Sequence, residues 1–285
     1  MNKLNKGDTI GLISCSNGLN LNMKERLDKL IQLLKTFDIN VILSNSIYKN
    51  VDGITLDAKI RATELMNLYR NKNIKFIFDV SGGDLCNEVL DYLDFNEIKA
   101  SNKIFVGYSD LTVLLNSIYS KTGLKSINYQ IRNLINKDSK LQLEYFINNF
   151  LKEEDLMKNI NYKYIKGSTM NGIVIGGNIR CFLKLAGTEY MPSFNNKILF
   201  LESLSGDVNK ISTFLAQYKQ IGAFNKINGL ILGTFTELEE KYSNKDIELL
   251  FLDKLKDYKF PIVKTSELGH NSNSKAILIG EHISI

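Results

Sequence analysis

One serine of the chain stands where α/β enzymes commonly place a nucleophile. Ser109 follows an apolar run and precedes a helical pattern, within the stretch "KIFVGYSDLT" at 103–112. A strand–turn–helix junction that carries Gly-x-Ser is the geometry of a nucleophile elbow, and Gly107 fits that pattern. Leu111 stands where a second glycine is usual. Ser109 or Asp110 could instead cap the following helix, and on this motif alone the cap is the better interpretation.

An attacking serine needs a general base, and the chain contains two histidines. His270 lies in a polar loop directly after the apolar stretch "FPIVKTS", which favours it as the base. His282 lies in an alternating terminal segment that predicts a surface position on a strand. Glu202 ends the apolar run 198–201, so its carboxylate could orient the imidazole. Other acidic residues compete for that role, namely Asp79, Asp84 and Asp110.

A glycine turn, "SGGD" at 81–84, follows another apolar run and offers backbone N–H groups that no side chain covers. Together with the amide of Asp110, it could form an oxyanion hole. The alternatives are a plain strand–helix turn and a phosphate cradle, and "GIVIGGN" at 172–178 has the same ambiguity. Cys86 follows the first turn, but its helical apolar surroundings indicate a buried structural residue.

The elements that must position these residues alternate between strand and helix patterns. Near-continuous apolar strands are predicted at 9–14, 41–43 and 74–80, and amphipathic helices at 23–37 and 57–70. Such a pattern is typical of a parallel sheet covered on both faces. Between 132 and 167 no long apolar strand is predicted, and a second set of strands and helices follows. The sequence therefore predicts two domains, 1–150 with the nucleophile and 151–285 with the glutamate and histidine.

Composition excludes several classes of function. The 285 residues include 36 basic and 31 acidic side chains without a dense basic block, so nucleic-acid binding is not expected. No apolar stretch approaches the roughly 20 residues that span a bilayer, so no membrane partner is expected. Three widely spaced cysteines indicate reduced thiols in the cytoplasm. Two histidines and no Cys-x-x-Cys pair predict no metal site.

Several of these motifs, in this order and spacing, resemble the serine-type LD-carboxypeptidase family, which includes the microcin-immunity peptidases. The resemblance covers essentially the whole chain. It rests on "GDTIGLIS" at 7–14, "SGGD" at 81–84, "LDYLDFNEIKASNKIFVGYSDLTVLL" at 90–115, "GGN" at 176–178, "ILFLE" at 198–202, "GLILG" at 229–233 and the late Gly-His that ends at His270.

The resemblance implies a triad of Ser109, Glu202 and His270, with oxyanion donors from the amides of Gly83 and Asp110. It implies an α/β fold: an N-terminal parallel-sheet, flavodoxin-like domain and a C-terminal barrel-like mixed α/β domain, with the site between them. It also implies a cytoplasmic homodimer that needs no metal or other cofactor. Substrate contacts are expected from Gly82, Asn178 and Tyr129.

The activity implied is release of terminal D-alanine from recycled cell-wall tetrapeptides by cleavage of an L,D amide bond. Three departures from the family pattern bear on the substrate. Asn128-Tyr129-Gln130 replaces the frequent His-Gly-Pro, Ser203 and Gly206 follow the glutamate, and the chain has no tryptophan to stack on a nucleotide, a role that Tyr129 could take. Two alternatives therefore stay open, an immunity-type peptidase that cleaves a nucleotide antibiotic and a non-catalytic protein that binds a phosphorylated metabolite.

Overall fold

Two sheets form the framework of the protein. The computed structural model describes residues 3–152, 156–157 and 160–285. Within these residues the strands are β1 (Thr9–Ile13), β2 (Asn40–Leu43), β3 (Ile74–Asp79), β4 (Ile104–Gly107), β5 (Ser126–Asn128), β6 (Lys163–Lys166), β7 (Asn171–Asn178), β8 (Lys197–Ser203), β9 (Gly229–Phe235), β10 (Ile262–Lys264), β11 (Ile277–Ile279) and β12 (His282–Ser284).

The helices cover the faces of these sheets. They are α1 (Lys24–Thr36), α2 (Ala58–Arg70), α3 (Phe95–Ser101), α4 (Thr112–Thr122), α5 (Ser139–Phe146), α6 (Ile179–Leu183), α7 (Val208–Gln220), α8 (Thr236–Glu239) and α9 (Asn244–Lys254). None of the helices in the described ranges is both long and apolar enough to cross a membrane. Short 3-10 segments include Cys86–Tyr92, Ser109–Leu111 and Ile131–Ile135.

The first sheet has the strand order β2-β1-β3-β4-β5-β11. All neighbours are parallel except the pair of β5 and β11. Strands β1 and β3 are almost wholly buried, as their continuous apolar runs predicted. The order 2-1-3-4-5 is the flavodoxin-like one, in which ligands bind at the carboxyl ends of the strands near the point where the order reverses.

The second sheet has the order β12-β7-β8-β9-β10-β6 and curls into a half-barrel. Strands β7 to β10 run parallel to one another, and the edge strands β12 and β6 are antiparallel to β7 and β10. This arrangement confirms the predicted fold class, a parallel α/β unit followed by a mixed barrel-like unit. The terminal segment with His282 is an exposed edge strand, as expected.

Helix α4, which follows the nucleophile turn, joins the two halves. Its Asn116 side chain donates to the carbonyl of Gly176 and accepts from the N–H of the same residue, at 2.8 and 2.9 Å. Gly177 has φ 141°, and a Cβ there would lie 2.5 Å from the Thr112 hydroxyl oxygen. The glycine at position 177 therefore lets β7 approach the helix closely.

Strand β11 belongs to the second half of the sequence but completes the first sheet. The chain therefore crosses back over any boundary drawn near its middle. The division at residue 150 stays a prediction, and part of the stretch just beyond it lies outside the described residues.

Candidate active site

The turn after β4 presents Ser109 in a strained conformation. Its φ is 59°, in the left-handed region that few residues other than glycine adopt. Such conformations typically cost about 1–3 kcal/mol and cluster at functional sites. The two helical segments that begin here have no side-chain cap hydrogen bond, so Ser109 does not act as the helix cap. Its hydroxyl is instead directed to an imidazole.

Ser109, His270 and Glu202 form one hydrogen-bonded chain. The serine Oγ lies 3.0 Å from His270 Nε2, and His270 Nδ1 lies 2.5 Å from Glu202 Oε2. The histidine and glutamate side chains are only 6% and 1% exposed, so water competes little for these contacts. In the tautomer that forms both hydrogen bonds, Nδ1–H donates to the carboxylate of Glu202, and Nε2 accepts a hydrogen bond from the serine hydroxyl.

The loop that carries the histidine is fixed by contacts with β9 and with the nucleophile turn. Gly269 has φ 134°, and a side chain there would overlap Thr234. The backbone N–H of His270 donates to the Thr234 hydroxyl at 3.2 Å. Tyr108 donates its hydroxyl to the Gly269 carbonyl at 2.7 Å, and its ring centroid lies 4.4 Å from that of His270. The base is therefore held from two sides.

Glu202 is placed by its position at the end of β8, in register with Asn178 at the end of β7. Its second oxygen, Oε1, is buried without a hydrogen-bond partner among the described residues. Gly233 of β9 allows this packing, because a Cβ there would lie 3.0 Å from the Glu202 Cβ. Among the described residues, the Glu202 carboxylate therefore has one hydrogen-bond partner, the imidazole of His270.

The acidic residues that competed for this role have other partners. Asp79 accepts hydrogen bonds from the N–H groups of Cys15 and Ser81, and burial raises the pKa of its carboxyl group. Asp84 forms an ion pair with Arg180 at 2.7 Å. Neither is the partner of the imidazole in this structure.

Asp110 is also occupied, and its contacts hold the nucleophile turn. Its buried carboxylate accepts from the Ser16 hydroxyl at 2.6 Å, from the Cys86 N–H at 2.9 Å and from the Lys184 ammonium at 2.5 Å. Lys184 follows α6 and so connects the second half of the chain to this turn. As the second residue of a helical turn, Asp110 keeps a backbone N–H that the turn itself does not use.

The glycine turn after β3 lies beside the nucleophile. A Cβ on Gly82 would lie 3.9 Å from the Ser109 hydroxyl oxygen, so the missing side chain leaves room next to the reacting atom. Gly83 has φ 132°, and a side chain there would overlap Asn17. The Asn17 side chain also accepts the N–H of Asp84 at 3.0 Å. The turn is therefore packed in one conformation.

The expected substrate contacts differ in their placement. The side-chain oxygen of Asn178 caps α6 by accepting the Cys181 N–H, and Asn178 lies opposite Glu202 in the sheet register. Tyr129 is only 2% exposed and donates its hydroxyl to Gln142, and its ring contacts are with Tyr145 and Phe150. Asn178 therefore stands at the strand end beside Glu202, whereas Tyr129 lies in the core.

Sequence reasoning did not identify four residues that support the site, Asn17, Tyr108, Lys184 and Thr234. The polar run "SCSN" after β1 was a usable signal, because it stands at the carboxyl edge where ligands bind in such sheets. The threonine in "GLILGTF" gave no signal of its own. Thr234 acts through its hydrogen bond with the loop that carries His270, which is distant in the sequence.

Cys86 can be distinguished from Ser109 by chemical labelling. The thiols of Cys15, Cys86 and Cys181 are at most 1% exposed, and burial raises the pKa of each. Little thiolate therefore exists at pH 8, and the thiolate is the reactive form. We expect iodoacetamide to modify none of the three in the folded protein and to leave catalysis intact, with all three modified in urea. Mass spectrometry gives the count, and inactivation by labelling of folded Cys86 would contradict the serine assignment.

Comparisons with known proteins identify the family of the chain. The LD-carboxypeptidase N-terminal domain matches residues 10–129, and the LD-carboxypeptidase C-terminal domain matches residues 171–285. The chain belongs to the LD-carboxypeptidase family.

Individual relatives fall into two groups. The chain is 27% identical to the microcin C7 self-immunity protein MccF of Escherichia coli, over 98% of this chain and 90% of that protein. It is 25% identical to a probable murein peptide carboxypeptidase of Bacillus subtilis, over 97% and 88%. Among solved structures, an MccF-like protein of Bacillus anthracis matches with a TM-score of 0.88 and 27% identity, over 99% of this chain and 94% of that one.

Proposed function

We propose that the chain is a serine-type LD-carboxypeptidase, which hydrolyses the amide bond between an L-configured centre and a terminal D-alanine in a cell-wall tetrapeptide. The observation that carries the proposal is the chain of contacts from Ser109 through His270 to Glu202, at 3.0 and 2.5 Å. The family, together with the relative described as a murein peptide carboxypeptidase, supports this class of substrate.

In the proposed mechanism His270 is first a base and then an acid. Nε2 takes the hydroxyl proton as Ser109 Oγ attacks the carbonyl carbon of the scissile amide. The imidazolium that forms is stabilised by the carboxylate of Glu202, and it then gives its proton to the nitrogen of the departing D-alanine. Water attacks the acyl-enzyme by the same proton route in reverse. The first proton transfer uses the contact between Ser109 Oγ and His270 Nε2 that is already present in the structure, at 3.0 Å.

Two backbone N–H groups would stabilise the oxyanion, those of Gly83 and Asp110. They stand on turns at the ends of neighbouring strands, β3 and β4, and both turns are anchored by side chains. Anchoring matters because preorganised donors need no reorientation when negative charge develops. One such donor is typically worth about 3–4 kcal/mol of transition-state stabilisation.

The leaving group would be recognised by Asn178, whose amide NH₂ is available for the free carboxylate of D-alanine. Gly82 would leave the space that the substrate occupies above Ser109. Tyr129 has no part in this proposal, since its hydroxyl is bonded within the core.

We also place the enzyme in the cytoplasm as a homodimer that acts in peptidoglycan recycling. The cytoplasmic location is supported by three unpaired thiols, which persist in a reducing compartment.

The test is digestion of a purified tetrapeptide ending in D-alanine, followed by mass spectrometry. Wild type is expected to yield the tripeptide and free D-alanine, and to leave the matched peptide ending in L-alanine intact. Ser109→Ala should release nothing above background. Equal release of D-alanine by both proteins would refute the assignment of Ser109. Failure of an active-site serine reagent to label Ser109 would instead favour the non-catalytic, metabolite-binding alternative.

An immunity-type peptidase is the second candidate, because the chain is as similar to MccF as to the murein peptide carboxypeptidase. It would use the same triad on a peptidyl or aminoacyl nucleotide. Competing the two substrates on one enzyme preparation separates the candidates. A kcat/KM at least tenfold higher for the tetrapeptide is expected under our proposal, and the reverse ratio would favour the immunity function.

A further inference from the structure

A concave feature lies at the carboxyl edge of the first sheet, where residues that follow β1 and β5 meet. It is a cavity of about 160 Å³, and the segment after β1 that packs on the glycine turn also contributes to its wall. Its volume exceeds the roughly 30 Å³ share of one liquid water several times, which is enough for a small polar group on a short arm. The lining residues are Leu19, Met23, Arg26, Leu27, Gln130, Arg132, Ile135 and Asn136.

Arg132 is the first unusual feature of this cavity. Its Nε is buried and has no hydrogen-bond partner among the described residues. Buried polar groups are nearly always satisfied, so an unpaired guanidinium nitrogen calls for a ligand or a functional reason. Burial lowers the pKa of Arg132, the charge of Asp79 opposes that effect, and the charge of Arg26 adds to it.

Arg132 is also linked through the first sheet to the strand that ends at Ser109. It lies in the 3-10 segment after β5, and β5 pairs with the strand that ends at the nucleophile turn. Its charge acts on the hydroxyl of Tyr108, whose ring contacts the imidazole of His270. Arg132 therefore lies at the same edge of the first sheet as Ser109, beyond the carboxyl end of the neighbouring strand.

Arg26 of α1 contributes a second guanidinium to the cavity. Its Nη2 donates to the Asn136 side-chain oxygen at 2.6 Å. In the part of the chain that the structure describes, neither Arg26 nor Arg132 forms an ion pair, and the lining contains no carboxylate. Two like charges at one partly enclosed cavity repel each other unless an anion joins them. Guanidinium groups bind carboxylate and phosphate oxygens in paired hydrogen bonds.

We propose that this cavity binds a second carboxylate of the substrate, one remote from the scissile amide, through Arg132 and Arg26. The proposal deepens the peptidase function and rests on it. Such a site would make the enzyme selective for acidic peptides. It would recognise the acyl part of the substrate, in addition to the contacts that recognise the departing D-alanine. The surrounding apolar side chains would pack on the arm that carries the carboxylate.

The kinetic test uses two tetrapeptides that end in D-alanine and differ only at the second residue, which bears a free carboxylate or its carboxamide. For the free carboxylate, Arg132→Gln and Arg26→Gln are each expected to raise KM about 10-fold or more, the usual effect of losing a charge-assisted hydrogen bond. For the carboxamide, KM should change less than about twofold. Lys29→Gln removes the same charge from an exposed position on α1 and is the matched control. Equal KM changes with both peptides would overturn the proposal.

A second measurement does not depend on catalysis. Thermal unfolding is followed at constant ionic strength with glutarate or with inorganic phosphate. Glutarate is expected to raise the Tm of wild type and of Lys29→Gln, but not that of Arg132→Gln. This result would support the anion site even if wild type cleaved neither peptide, in which case only the peptidase proposal would fail. A stronger effect of phosphate that also requires Arg132 would overturn the carboxylate assignment, and no Arg132-dependent shift with either anion would overturn the site.

Discussion

Alanine in place of His270 is expected to lower kcat for D-alanine release by about 10⁶-fold, the loss found when the base of a comparable triad is removed. The side chain is the only group within hydrogen-bond distance of the Ser109 hydroxyl in the described structure, at 3.0 Å. Without it, the serine must lose its proton to water at neutral pH, where the hydroxyl is a weak nucleophile. KM should change little, because the imidazole acts on the transition state.

A double variant of Ser109 and His270 tests whether these two residues act together in catalysis. Ser109→Ala should lose as much as His270→Ala, and the double variant should be no worse than either single variant. His282→Ala is the matched control, since that histidine is exposed on the edge strand β12. Rates are measured by coupled detection of D-alanine at saturating substrate. A His270→Ala enzyme that keeps a tenth of wild-type kcat, or a double variant a thousandfold below both singles, would contradict the proposed base.

The fold was largely predictable from the sequence because its strands are buried on both faces. Continuous apolar runs such as 74–80 have few other possible placements in a fold. Strand β3 and the predicted helices at 23–37 and 57–70 were observed within a residue of their expected bounds. The position of β11 was not predictable. Its three residues pair with a strand about 150 positions earlier, and an apolar triplet does not specify its partner sheet.

The hydrogen-bonded chain of Ser109, His270 and Glu202 could be predicted from the scarcity of histidine and from motif order, but its supporting contacts could not. Tyr108 bonds to Gly269, and Asp110 bonds to Lys184, across the two halves of the chain. Such contacts depend on how two sheets pack, which no local pattern encodes. The positive φ of Ser109 had only a partial signal in Gly107, because the usual second glycine is absent.

The residues after β5 enter different surroundings. Tyr129 attracted attention as an aromatic group, but the register of β5 turns it into the core, where it bonds to Gln142. Arg132, three positions later, enters the cavity instead because a 3-10 turn intervenes. The side that each residue faces is set by this irregular turn, whose course is not visible in hydrophobic periodicity.

Glutamine in place of Glu202 is expected to lower kcat by about 10⁴-fold, as for the corresponding carboxylate-to-amide change in a triad. The amide has nearly the same shape, but its NH₂ can donate to Nδ1 of His270. The proton then resides on Nε2, and the imidazole faces the serine with a donor instead of an acceptor. The 2.5 Å contact to Nδ1 makes this tautomer change the direct consequence of the substitution.

The same substitution should not lower stability, which separates a catalytic role from a structural one. Glu202 is 1% exposed, and its Oε1 has no hydrogen-bond partner among the described residues, so the native state holds an incompletely compensated carboxylate. A neutral amide is less costly to bury. We therefore expect the Tm of Glu202→Gln to equal or exceed that of wild type while kcat falls, with exposed Glu240→Gln unchanged in both. A parallel loss of Tm and kcat would assign Glu202 to the framework of the fold, and a kcat within tenfold of wild type would remove it from the triad.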